Sequence, residues 1–106
     1  MSAGAPVYLT VRRVRGPAWD LSRPMREQAL WQEHADFMDA LAAEGFVILG
    51  GPIGSDEEFL LVIASSTADT VRMRLDADPW SEAGLLETAR VERWTILLDG
   101  RSASRT

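Results

Sequence analysis

Apolar residues alternate along some stretches of this chain and recur at helical spacing along others, and the switches between the two patterns mark out its elements. Val7-Tyr8-Leu9-Thr10-Val11-Arg12-Arg13-Val14 is β-branched and partly alternating, which predicts a strand. Gly16-Pro17 ends it, and residues 15–22 read as a loop. From Arg23 to Glu44 the spacing turns helical. At about 100° per residue, Leu30, Trp31, Phe37, Met38 and Leu41 share one face while Asp36 and Asp39 point away. Ser22 serves as N-cap, Pro24 fits a first turn and Gly45 supplies the stop. Phe46 to Gly50 predicts a second strand, 51–56 a turn, and Glu58 to Ala64 a third strand, together a hairpin with a loop longer than two residues. Ser66-Thr67-Ala68-Asp69 resembles a capping box with Asp in place of the commoner Glu or Gln. It opens a short helix that buries Ala68, Val71 and Leu75 and ends near Ala77, because Pro79 forces Asp78 out of the helical region. Residues 81–85 read as a turn or short helix, and 87–97 as a last strand.

The order β-α-β-β-α-β with right-handed crossovers predicts an α+β, ferredoxin-like sheet with both helices on one face. The chain reads as one domain over residues 1–106, with a core from about 7 to 98 and a polar tail from 99 to 106. The third strand complicates this picture. Phe59, Leu61 and Ile63 point one way and Leu60, Val62 and Ala64 the other, and both sets are apolar. The second strand behaves likewise. A sheet with helices on one face is expected to be polar on the other, so the second face asks for cover. The tail is too short and polar to supply it. A homodimer packed through sheet faces is therefore expected.

Composition then removes much chemistry. The chain has 106 residues, 46% hydrophobic and 25% charged, the balance of a globular protein. It has no Cys, which excludes thiol nucleophiles and thiolate metal sites. All eleven basic side chains are Arg, which excludes a Schiff-base or phosphate-loop lysine. A single His excludes a multi-histidine metal site within one subunit. The net charge of −5 argues against nucleic acid. No apolar run is long enough to span a bilayer, and the first residues show no secretory pattern, so a cytoplasmic protein without membrane contact is expected.

What remains converges on one edge of the sheet. The topology gathers residues 13–15, 22–26, 50–52 and 76–80 there, which is how such folds build a pocket. His34 lies at the centre of the apolar face of the long helix. It is either a core histidine bonded to a backbone carbonyl or an acid/base group at a pocket floor. Asp78 is either a solvated turn carboxylate or the partner that orients the ring. Arg13, Arg15, Arg23 and Arg26 gather at the same edge, near the start of the long helix. They are either a solvated basic rim or, for Arg15, Arg23 and Arg26 in particular, contacts to an anionic substrate. Gly50, Gly51 and Pro52 permit either close approach of a ligand or simply the turn. Trp80, beside Asp78, is the better candidate for an aromatic pocket wall, whereas Trp31 reads as core. Tyr8 reads as strand packing, with a second acid as the alternative.

Glu33-His34, Gly50-Gly51-Pro52, Asp78-Pro79-Trp80 and Glu82-Ala83-Gly84, in that order and spacing, resemble the YciI-like (YCII-related) family over about Val7 to Leu98. The resemblance implies a dimeric α+β barrel and an active site built on a His-Asp pair, which falls on His34 and Asp78. The loop from Arg15 to Pro24, with Trp19, is longer than in the shortest members and is placed to reshape or lid the pocket. The expectation is a small-molecule enzyme without metal or organic cofactor. His34 moves a proton and Asp78 orients it, in lyase-, isomerase- or hydrolase-like chemistry on a small anionic substrate, aromatic ones included. The alternative is a non-catalytic ligand-binding or accessory dimeric domain. The two part on geometry: side chains in hydrogen-bond reach beside a cavity favour the enzyme, and a sealed His34 bonded only to backbone favours the alternative.

Overall fold

A computed structural model describes residues 7–101. The elements are β1 (Tyr8–Arg15), a single 3-10 turn (Met25–Glu27), α1 (Trp31–Ala43), β2 (Val47–Ile53), β3 (Glu58–Ala64), α2 (Ala68–Asp76), α3 (Pro79–Glu82) and β4 (Leu86–Trp94). The strands form one antiparallel sheet in the order β2-β3-β1-β4. This is the ferredoxin-like α+β arrangement that the element order predicts. Leu9, Val11, Leu61 and Ile63 project from the sheet into a core with Leu41 of α1 and Val71 and Leu75 of α2, which places both helices on the same face.

The largest departure from expectation is the start of the long helix. Ser22 does not cap it and Pro24 does not open it, because α1 begins at Trp31, eight residues later than Arg23. Leu30 precedes it in the left-handed region at φ 62°, a conformation that costs a non-glycine residue about 1–2 kcal/mol. Residues 20–30 are instead held by the buried side chain of Gln28. Its amide donates to the carbonyls of Asp20 and Arg23 (2.8 Å each) and its carbonyl accepts from the Asp20 N–H (2.9 Å). The first part of the loop before it is packed against the domain. Trp19 is buried edge-on against Trp80 at 5.4 Å, and Gly16 lies so close to Gly84 that a Cβ would collide with the Gly84 carbonyl.

Smaller shifts have local causes. Thr67, not Ser66, caps α2, its hydroxyl accepting from the Thr70 N–H. Pro79 does end α2, with Asp78 extended at ψ 130°, and then starts α3 as its first residue, capped by Asp78. β2 runs on through Gly50, Gly51 and Pro52 to Ile53, since these pair with Leu61, Leu60 and Phe59, so the hairpin turn begins later than expected. β4 spans 86–94 rather than 87–97.

The face away from the helices is mixed. Over β2 and β3 it carries Leu49, Ile53, Leu60 and Val62, as the two-sided strands predict. Over β1 and β4 it carries Thr10, Arg12, Arg90 and Glu92, with ion pairs Arg12–Glu58 and Arg90–Glu92. The segment after β4 is not remote from this face. Ile96, Leu98 and Arg101 share a depression there with Tyr8, Val62 and Trp94, and Val62 is buried. Tyr8 is thus on the opposite side of the sheet from His34, which leaves it no part as a second acid. Residues 102–106 of the expected polar tail lie outside the described residues.

Candidate functional site

Strand alternation puts Arg13 on the helix-facing side of β1, in one row with Leu9 and Val11. A guanidinium in that position needs a counter-ion. It has one in Asp78, whose position is fixed by the extended backbone before Pro79: Arg13 Nη1 donates to Asp78 Oδ2 at 2.8 Å, and both side chains are fully buried. Arg13 Nη2 donates to Ser81 Oγ, and that hydroxyl donates to the Leu75 carbonyl at 2.7 Å. The Trp80 N–H donates to Asp78 Oδ1 at 2.9 Å.

His34, from the first turns of α1, completes the cluster. Its Nδ1 is 2.9 Å from each Asp78 oxygen. The imidazole lies flat on the Trp80 indole, with ring centroids 3.8 Å apart and planes 9° from parallel. Trp80 is anchored in turn by its Nε1–H, which donates to the Ala29 carbonyl at 2.6 Å. The ring is therefore fixed in plane by stacking and in rotation by the carboxylate.

Burial alone would raise the Asp78 carboxyl. Hydrogen bonds from His34, Arg13 and the Trp80 amide, with the attraction of the His34 ring when it is protonated, outweigh burial and hold it below the ordinary aspartate range. An ionised Asp78 can only accept, so in the neutral ring the tautomer that fits has Nδ1–H donating to it and a lone pair on Nε2. Nε2 has no hydrogen-bond partner among the described residues, and His34 borders a cavity of about 340 Å³.

That cavity is built from the four segments expected to converge. Arg13, Met25, the run Gly50-Gly51-Pro52, and Trp80 all contribute, with Trp31, Met38 and Asp39 of α1 and Phe59 of β3. Gly50 faces Leu61 so closely that a side chain there would displace it. Two irregularities in the sheet flank the site: pairing shifts between Val47 and Leu49 on β2, and on the β4 side of Arg13. Bulges of this kind re-aim side chains next to binding sites.

Three expected residues stand apart from the cavity wall. Arg15 lies over the Trp19 ring at 5.0 Å. Arg23 is exposed and pairs with Asp20. Arg26 sits over the Trp31 ring at 5.7 Å, and of the two only Trp31 lines the cavity. With α1 starting at Trp31, Arg23 and Arg26 are not at its first turn. Conversely, Trp31 is wall rather than core, and Arg13 belongs to the centre of the site. The signal for Arg13 was its place in the Leu9-Val11-Arg13 row. Among the described residues no cluster of three or more His, Asp or Glu is placed to hold a metal.

The solved structure of 5-chloro-2-hydroxyhydroquinone dehydrochlorinase from Burkholderia phenoliruptrix AC1100, in complex with 2,5-dihydroxybenzoquinone, is similar to this chain. The two are 24% identical, the match covers 82% of this chain and 93% of that one, and the TM-score is 0.54, a likeness of fold. Comparison with curated proteins gives no match. The pattern of the YCII-related domain matches residues 10–95, which takes in every residue of the His34 cluster, and the chain belongs to that family.

Proposed function

We propose that this protein is a small-molecule acid/base enzyme in which Nε2 of His34 takes a proton from a bound substrate and Asp78 orients and stabilises the resulting imidazolium. The observation that carries the reading is the contact of Nδ1 with a buried, ionised carboxylate while the ring borders a cavity. A histidine serving only as packing has no use for that combination. Proton transfer to a positioned imidazole contributes about 10²–10⁴-fold to rate. Stacking on Trp80 adds attraction for the cationic form.

The wall is mainly apolar and aromatic, with Trp31, Phe59, Met25 and Met38, and the cavity suits one planar ring. A hydroxylated aromatic or quinone-like substrate fits this wall, and the dehydrochlorinase of similar fold, solved with a dihydroxybenzoquinone, supports that class. Gly51 and Pro52 border the ligand space, and Arg26, over the Trp31 ring, adds positive potential for an anionic group. The chemistry needs no metal or organic cofactor. The test is turnover of chlorinated and unchlorinated hydroxyquinols, 5-chloro-2-hydroxyhydroquinone among them, followed by absorbance and chloride release. His34→Ala should lower the rate by about 10²-fold or more, and an unchanged rate would refute the role of His34.

The working unit in this proposal is a dimer in the cytoplasm, joined through the helix-free sheet face. Exposed Leu49 and Trp94 and the neighbouring Leu97 and Leu98 support it. Sedimentation should give twice the chain mass, and Trp94→Asp should shift it toward the single-chain value.

A further inference from the structure

Arg13 carries a charge that the proton transfer just described does not use. We propose that Arg13 is a positioning residue for the His34–Asp78 pair: it compensates the Asp78 charge, so that the carboxylate orients the imidazole without locking it into the charged form. This deepens the acid/base reading and rests on it.

A buried aspartate touching one imidazole forms, with the protonated ring, a neutral ion pair. In a low dielectric that pair strongly favours the protonated ring, which is then a poor proton acceptor. Here Oδ2, one of the two Asp78 oxygens at 2.9 Å from His34 Nδ1, also accepts from Arg13 Nη1 at 2.8 Å. The three groups sum to zero charge with a neutral ring and to one positive charge with a protonated ring. Arg13 therefore opposes protonation twice, by neutralising Asp78 and by direct repulsion. It also holds the carboxylate in place, because Nη2 is tied through Ser81 to the Leu75 carbonyl at the end of α2.

Its Nε is buried without a partner, so the guanidinium is committed to the cluster at the expense of its own hydrogen bonding. The other charges around His34 are few. Asp39, on the same helix, borders the cavity, and Arg26, from the turn before α1, lies over the Trp31 ring. The wall from β2 and β3, residues 47–52 with Phe59 and Leu61, brings none.

His34 is the only histidine, so its titration is followed in the intact protein by NMR with no assignment problem and no substrate. Arg13→Met should raise the His34 midpoint by about one unit or more, the scale of an adjacent charge. Arg13→Lys, which keeps the charge, should move it less than half as far. An unmoved midpoint in Arg13→Met, or equal shifts in the two variants, overturns the proposal. A purely structural Arg13 would lower stability and leave the midpoint alone. Should Arg13→Met not fold, the unaltered protein decides. The slowly exchanging guanidinium protons of buried Arg13 should shift with the midpoint of His34, and an Arg13 signal that ignores that titration contradicts the claim. Failure of the acid/base reading looks different: His34→Ala then leaves turnover intact whatever Arg13 does.

Discussion

Two clusters lie under the helices, and they differ in kind. One is mainly aliphatic, with Leu9, Val11, Leu41, Ile63, Val71 and Leu75 around the middle of the sheet and Phe46 as its one buried ring. The other is aromatic, built from Trp19, Phe59 and Trp80 with Leu85 and Leu86, and packed against Trp31. The first has no buried charge. The second adjoins Arg13, Asp78 and His34. Aliphatic side chains fill space in many ways, so the first cluster secures the fold without specifying one orientation of anything. Flat rings with fixed hydrogen-bond partners pack in few ways. Trp80, tied to Ala29 and stacked on His34, turns packing into a frame for charges.

The comparison breaks most visibly at Asp78. Asp78→Ala leaves Arg13 buried and uncompensated and should cost about 3–5 kcal/mol by denaturant unfolding. It should also release the His34 ring. Ile63→Ala should cost a similar amount, about 2–5 kcal/mol, yet leave the His34 NMR signature unchanged. Equal disturbance of His34 by both would erase the distinction between the clusters.

Acid offers a second separation. The folded Asp78 carboxyl lies below its unfolded value of about 3.9. It therefore contributes stability that is complete above that value and is lost as pH falls through the lower folded one. The stability gap between the unaltered protein and Asp78→Asn should be widest at neutral pH and narrow below about pH 4. For Ile63→Ala, which touches no titrating group, the cost should stay level with pH. The smallest expected effect is at Leu30. Leu30→Gly relieves the left-handed backbone and should add up to about 1 kcal/mol, with little change at either cluster.

Much of this was legible in the sequence, and what was hidden was hidden for a physical reason. β3 falls on Glu58–Ala64 as expected, because a short uninterrupted apolar run between turn residues has few readings. Pro79 correctly placed Asp78 outside a helix, and the convergence of four segments followed from topology. The start of α1 did not follow. Ser22 and Pro24 imitate a helix start, and what cancels them is the Gln28 side chain bonding Asp20 and Arg23, a tertiary contact with no periodic trace. Trp31 shares a helix face with core residues, yet that face continues past the edge of the core into the cavity. Arg13 was grouped with surface arginines because arginine is seldom buried. Its alternation with Leu9 and Val11 pointed inward, and a buried cation needs a counter-ion, but that Asp78 supplies it is a tertiary contact with no trace in local spacing.

The central claim is that a buried, ionised Asp78 holds His34 with Nε2 free to take a proton. Long-range proton–nitrogen NMR of this single imidazole, recorded at a pH above its own titration, reads that arrangement directly. The account predicts a proton on Nδ1 shared with Asp78 and none on Nε2, and Asp78→Asn should disturb this. A ring protonated on Nε2 with Nδ1 bare, in the unaltered protein, would contradict it.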